Sequence, residues 1–234
     1  SLFMLFVTGC NRHPEVDENK DIVLSIISIN DFHGQLEETS DGAGAARIAN
    51  FVKEVRSENE DSTLLLAAGD MFQGTALSNV AFGQDVVTFM NMLDFDAMTI
   101  GNHEFDWTLD KILTYRDGNS ENGEAEFPFI STNIYQHSID GLPEQLDEYV
   151  IVERKGLKIA IIGFIGENQK NDIAPSMCAD YTFTSPLEEV RENIKQARNE
   201  DGADIVFAQI PDEKGIGIAL RNRLYKSAGG RILW

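Results

Sequence analysis

The sequence predicts an α/β fold on a mainly parallel sheet, and three observations carry that expectation. Largely apolar runs at 22–29, 64–68 and 97–100 read as buried strands. The segments between them repeat apolar residues at every third or fourth position, as helices do. Each run also stops on groups able to bind metal: Asp31-Phe32-His33, Gly69-Asp70 and Gly101-Asn102-His103-Glu104. In open α/β sheets, ligands gather outside the carboxyl ends of the strands, so three such endings in succession point to one convergent site.

Taken in order, the strand at 22–29 is followed by Ile48, Val52 and Val55 at helical spacing over 44–56. The strand at 64–68 is followed by Val86, Val87, Met90 and Leu93 over 84–93. Strand, helix, strand, helix, strand implies right-handed crossovers between parallel strands. Residues 116–126 are polar and contain glycine, as surface loops do. Further strands are expected at 127–130, 149–152, 159–165 and 205–210. A helix opens at Ser185-Pro186-Leu187-Glu188, where serine is the expected cap, proline takes the first turn and glutamate completes a capping box. Its expected buried face is Leu187, Val190, Ile194 and Ala197.

The two ends differ from this body. Leu2-Phe3-Met4-Leu5-Phe6-Val7 is too short to span a bilayer and runs into Thr8-Gly9-Cys10, small residues ahead of a cysteine as at a bacterial lipoprotein processing site. The expectation is a partial signal segment over 1–10 that lacks its charged opening, a lipid anchor at Cys10, a flexible tether over 11–21, and export to the bacterial cell envelope or periplasm. Cys178 is then a lone thiol, or else the disulfide partner of Cys10. At the other end, residues 211–234 hold five basic and two acidic side chains, against fourteen and thirty-seven before them. With no clear period after Ile210, that stretch reads as an atypical tail beyond a domain over 22–210.

The 234 residues carry a net charge of −20, which repels nucleic-acid polymers. A phosphate substrate would need metal ions to offset that field. On a strand, residues two apart face the same side, so Asp31 and His33 are expected to address one ion while Phe32 turns inward. Asp70 has two oxygens with which to bridge two ions, and Asn102 offers a neutral carbonyl oxygen to the second. Imidazole with carboxylate suits zinc, manganese or iron better than calcium. Two such ions, roughly 3.5–4 Å apart, activate water and clamp the attacking and leaving oxygens of an in-line displacement, which is the chemistry of phosphate-ester hydrolysis. His103 would face the phosphate as general acid or charge stabiliser, with Asp106 three residues on to orient it. Gly69, Gly74 and Gly101 would let backbone approach closely. Singly, an aspartate after a strand is an ordinary helix cap and a histidine an ordinary polar contact. The joint pattern is what points to a site.

Ile29-Asn30-Asp31-Phe32-His33-Gly34, Gly69-Asp70-Met71-Phe72-Gln73-Gly74 and Gly101-Asn102-His103-Glu104-Phe105-Asp106 resemble the 5'-nucleotidase branch of the calcineurin-like metallophosphoesterases, as do Gly42-Ala43-Gly44-Ala45-Ala46-Arg47 and Phe127-Pro128-Phe129-Ile130-Ser131-Thr132-Asn133. The resemblance implies a sandwich of two mixed β-sheets flanked by helices. It implies a first metal on Asp31, His33 and Asp70, a second on Asp70 and Asn102, and a catalytic dyad of His103 and Asp106. The substrate implied is a small phosphorylated molecule, a nucleotide first of all, with cyclic nucleotides or sugar-linked diphosphates as alternatives, because the motifs set the chemistry and not the leaving group. The family completes its site with a histidine after a later strand and a further histidine-bearing segment. Here Gln209-Ile210-Pro211 follows Asp204-Ile205-Val206-Phe207-Ala208, no histidine lies beyond His137, and the family's base-gripping C-terminal domain is missing. Gln209, Asp212 or Glu213 are the groups left to substitute, and a non-catalytic surface lipoprotein that keeps a metal- or partner-binding scaffold is the rival reading.

Overall fold

The structure, a computed structural model, describes residues 22–40, 42–166, 169–211, 220–226 and 232–233, the last two segments as backbone. The expected signal segment, Cys10 and the tether lie outside the described residues. Among the described residues no helix is long and apolar enough to cross a membrane.

Four parallel strands, β1 (Ile22–Ile29), β2 (Thr63–Ala67), β3 (Ala97–Thr99) and β4 (Phe129–Ile130), lie side by side in chain order. Because the order advances in one direction, right-handed crossovers put every connecting helix on the same face. Those helices are α1 (Gly44–Asn59), α2 (Ala76–Val80), α3 (Gln84–Met92) and α4 (Leu109–Leu113). The side-chain alternation of the strands records the arrangement. Ile27, Ile29 and Leu65 pack with Val52, Val55, Val86 and Val87 on the helical face, while Leu24, Ile26, Leu64 and Leu66 turn the other way.

That second face is covered by a smaller sheet of β7 (Tyr149–Arg154), β8 (Leu157–Gly163) and β10 (Ile205–Gln209), in the order β10-β8-β7. Leu157, Ile159 and Ile161 of β8 meet the larger sheet, while Ala160 faces outward onto Ala197 of α5 (Pro186–Asn199). The layers are therefore helices, large sheet, small sheet, helix: the sandwich of mixed sheets that the motifs imply. Short strands complete it. β6 (Leu146–Asp147) extends the large sheet beside β4, and β5 (Ile134–Gln136) pairs with β9 (Tyr181–Phe183) apart from both sheets.

Three differences from expectation have physical causes. First, Ser185 precedes α5 in extended conformation with Pro186 at the start, but its side chain caps nothing; its carbonyl accepts the Glu188 and Glu189 N–H groups instead. Second, the buried residues of α5 are Asn193 and Ala197, while Leu187 is 59% exposed, because the helix meets the sheet through small residues at its far end. Third, within the stretch where no period is visible, β11 (Leu220–Lys226) pairs antiparallel along β1 from Ile22 to Ser28, and β12 (Ile232–Leu233) pairs with β11. Backbone pairing needs no side-chain period.

Thr108, just ahead of α4, adopts φ 71° and ψ 140°. A β-branched residue there is strained. Thr108→Gly is expected to gain about 1 kcal/mol net of the extra unfolded-state freedom of glycine, or roughly 2–4 °C in Tm. A thermal melt in chelator checks it, and a fall in Tm would contradict it.

Candidate metal centre

The loops after β1 and β2 continue to pair once the regular strands have ended. Asp31 donates its N–H to the Gly69 carbonyl (3.3 Å), His33 to the Asp70 carbonyl (3.0 Å) and Gly34 to the Met71 carbonyl (2.9 Å). Asp31, His33 and Asp70 all take left-handed backbone, with φ of 49°, 48° and 57°. Such residues cost about 1–3 kcal/mol each and persist where the surroundings hold them, most often at functional sites. The pleat of a strand was the expected means of bringing Asp31 and His33 together. β1 stops at Ile29, and it is across these left-handed turns that His33 Nε2 comes to 3.9 Å from Asp31 Oδ1. Phe32 is buried between them and stacks on Phe89.

His33 Nδ1 lies 2.7 Å from the Gln73 carbonyl, which can only accept, so Nδ1 carries a proton and Nε2 is the nitrogen left to address an ion. Gly74 lies closely against the same residue: a Cβ there would come within 2.4 Å of the His33 carbonyl oxygen and 2.7 Å of its Cβ. Asp70 is buried, and its Oδ1 accepts the His103 N–H at 2.9 Å. Burial raises its pKa; the His103 N–H and the nearby His103 and His33 rings pull against that without cancelling it. Gly101 has to be glycine, since a Cβ would sit 2.4 Å from Asp70 Oδ1. Next to it, the Asn102 Oδ1 is buried and accepts no hydrogen bond.

The chain then makes one 3-10 turn, His103–Phe105, which brings His103 Nδ1 to 2.8 Å from Asp106 Oδ2. The ring of His103 meets that of His33 edge-on, with centroids 4.8 Å apart. Burial works against a charged His103, but the Asp106 hydrogen bond and the charges of Asp70, Asp106 and Glu104 outweigh it, so its pKa is raised.

Glu104 is a participant that sequence reasoning assigned no role. It is fully buried, and its two oxygens accept N–H groups from Asp70 (2.9 Å), Met71 (2.9 Å) and Gly101 (2.7 Å). Burial first, and then the charge of Asp70, push its carboxyl up to about 7 against those three donors. The one signal in the sequence is a glutamate between His103 and the buried Phe105, immediately past a buried strand.

The small sheet reaches the same region. Gln209, at the end of β10, donates its amide to the Ala67 carbonyl (3.1 Å) and Thr99 Oγ1 (2.5 Å), leaving its Oε1 buried without a partner. Pro211 is buried against Gly69, its side chain has no donor atom for an ion, and its carbonyl accepts from the Gln169 amide. Asp212 and Glu213 lie outside the described residues. Among the described residues, no three His, Cys, Asp or Glu side chains stand close enough to grip an ion as they are. The donors nevertheless fit divalent metal in kind: two carboxylates, an imidazole with its tautomer fixed, and an amide oxygen buried with nothing to satisfy it, at a cost of about 1–3 kcal/mol.

A model of the family described as calcineurin-like phosphoesterase matches residues 24–228. An apyrase of Tabanus yao is 31% identical over 206 residues, covering 83% of this chain and 35% of its own length. A 5'-nucleotidase of Vibrio parahaemolyticus is 29% identical over 208 residues, covering 86% and 36%. The crystal structure of a 5'-nucleotidase precursor from Thermus thermophilus superposes with a TM-score of 0.67 at 25% identity, over 81% of this chain and 37% of that one. The chain thus spans a little over a third of the length of these relatives.

Proposed function

Because the chain belongs to the calcineurin-like phosphoesterase family, we propose that it is a metal-dependent phosphate-ester hydrolase acting on nucleotides, in the manner of a 5'-nucleotidase. The observation that carries this reading is the buried, unpartnered Asn102 oxygen, on the loop that also binds Asp70 through the His103 N–H and carries the His103–Asp106 pair.

In this reading Asp31, His33 and Asp70 hold one divalent ion, and Asp70 with Asn102 holds a second; zinc, manganese and iron suit these donors. When bound, the ions supply the positive charge that activates water and neutralises the phosphoryl oxygens. His103 does the rest of the work. Asp106 engages its Nδ1, fixing the ring and leaving Nε2 to give a proton to the leaving oxygen or hold charge on the phosphate. The His33 ring packed edge-on beside it limits its swing.

The test is release of inorganic phosphate from a nucleoside monophosphate and from a generic aryl phosphate, in Mn²⁺ or Zn²⁺ and after chelation. Turnover that chelator abolishes and added ion restores is the expected result. The second ion has only Asp70 and Asn102 among the described residues, fewer than the three protein ligands usual at catalytic zinc. That shortfall favours a second reading, a metal-binding scaffold without catalysis. One ion bound per chain with no turnover would establish it and end the hydrolase reading. We also propose that the protein is exported and lipid-anchored at Cys10, supported by the apolar run and small residues before that cysteine.

A further inference from the structure

We propose that Glu104 is the positioning residue of this centre: its one buried carboxylate ties the loop after β2 to the loop after β3 and so sets the separation of Asp70 from Asn102. The inference rests on the metal reading above. Oε2 is shared between Asp70 N–H and Gly101 N–H, which belong to the ends of two different strands, while Oε1 takes the neighbouring Met71 N–H. The tie is reciprocal. From the β3 side the His103 N–H returns to Asp70 Oδ1, so each loop answers the other's backbone with a carboxylate.

The chemistry of the side chain restricts what else could do this. A carboxylate accepts three N–H groups and offers none, whereas an amide would turn an NH₂ against one of them. The position of Asp70 adds a second constraint, because its backbone is left-handed and two of the three bonds hold the N–H groups of that residue and the next. Without them the strain at Asp70 relaxes and its carboxylate moves relative to Asn102. A group that merely filled space would leave ion affinity alone. One that sets ligand spacing would not.

The experiment is calorimetric titration of Mn²⁺ into chelator-stripped wild type, Glu104→Gln and Glu104→Asp, at a temperature where circular dichroism shows each folded, with thermal melts in chelator alongside. Glutamine breaks the acceptor set, and aspartate keeps the charge but is one methylene too short to reach both loops. Both variants are expected to bind Mn²⁺ about 10–100-fold more weakly, the range seen when groups that orient metal ligands are removed. If both bind Mn²⁺ with wild-type affinity, whatever their Tm, Glu104 is structural only and the inference is overturned while the metal reading stands. If wild type itself binds no Mn²⁺, the metal reading falls and takes the inference with it. Should the glutamine variant not fold, the aspartate variant decides.

Discussion

His103→Ala is expected to lower kcat for phosphate-ester hydrolysis by about 10²–10⁴-fold, the usual contribution of a positioned acid or base, with Mn²⁺ affinity close to wild type. The split follows from the geometry. The His103 backbone N–H bonds Asp70 and survives the substitution, so the ligand loops keep their tie; only the ring and its Asp106 partner are lost. Asp106→Asn keeps the ring but exchanges its acceptor for a weaker one, and a smaller loss of kcat is expected. Steady-state rates at saturating Mn²⁺, with calorimetric affinities on the same samples, check both. Unchanged kcat in the alanine variant would remove His103 from the reaction.

Asp70→Ala is expected to act on the other half of the split, abolishing measurable Mn²⁺-dependent turnover by weakening ion binding at least about 100-fold, the upper end for residues that only orient ligands. Its effect on the metal-free fold is expected to be small, because two changes oppose each other. The His103 N–H loses its acceptor, at about 1–3 kcal/mol. Against that, Glu104 loses the buried like charge that helps push its carboxyl up to about 7. Ligand binding at 100 times Kd stabilises by about 2.7 kcal/mol, so wild type should gain roughly 5–10 °C in Tm on Mn²⁺ addition. The variant, with the ion at or below its own Kd, should gain no more than about 1–2 °C. An equal Mn²⁺-induced rise in both proteins would show that Asp70 is no ligand.

The long elements were legible, as were β3 and β4 within their apolar runs, and the other short ones were not. α1 and α3 each span enough residues for a helical period to emerge, β1 shows as a largely apolar run, and the boundaries of all three fall within three residues of what the sequence announces. β5, β6 and β9 have two or three residues each, and α2 and α4 have five, less than two turns, so no alternation or stripe develops in them. Stacking of the second sheet on the first showed only as largely apolar runs, since a strand buried on both faces does not alternate. In the site, the candidate residues and their order along the chain could be read directly. How Asp31 and His33 come together could not, because left-handed backbone at non-glycine residues is imposed by tertiary bonds to the neighbouring loop. Glu104 was hidden for a related reason: its partners are backbone N–H groups, and a residue leaves no mark in sequence for what its main chain binds.

The cluster of left-handed residues at Asp31, His33 and Asp70 separates two kinds of fitness. At those positions glycine relieves backbone strain, so a library screened for heat resistance alone would enrich substitutions that erase the proposed ion-binding groups. Thr108 is the instructive exception. It carries the same kind of strain and holds no ligand, so there a screen for stability and a screen for activity should agree.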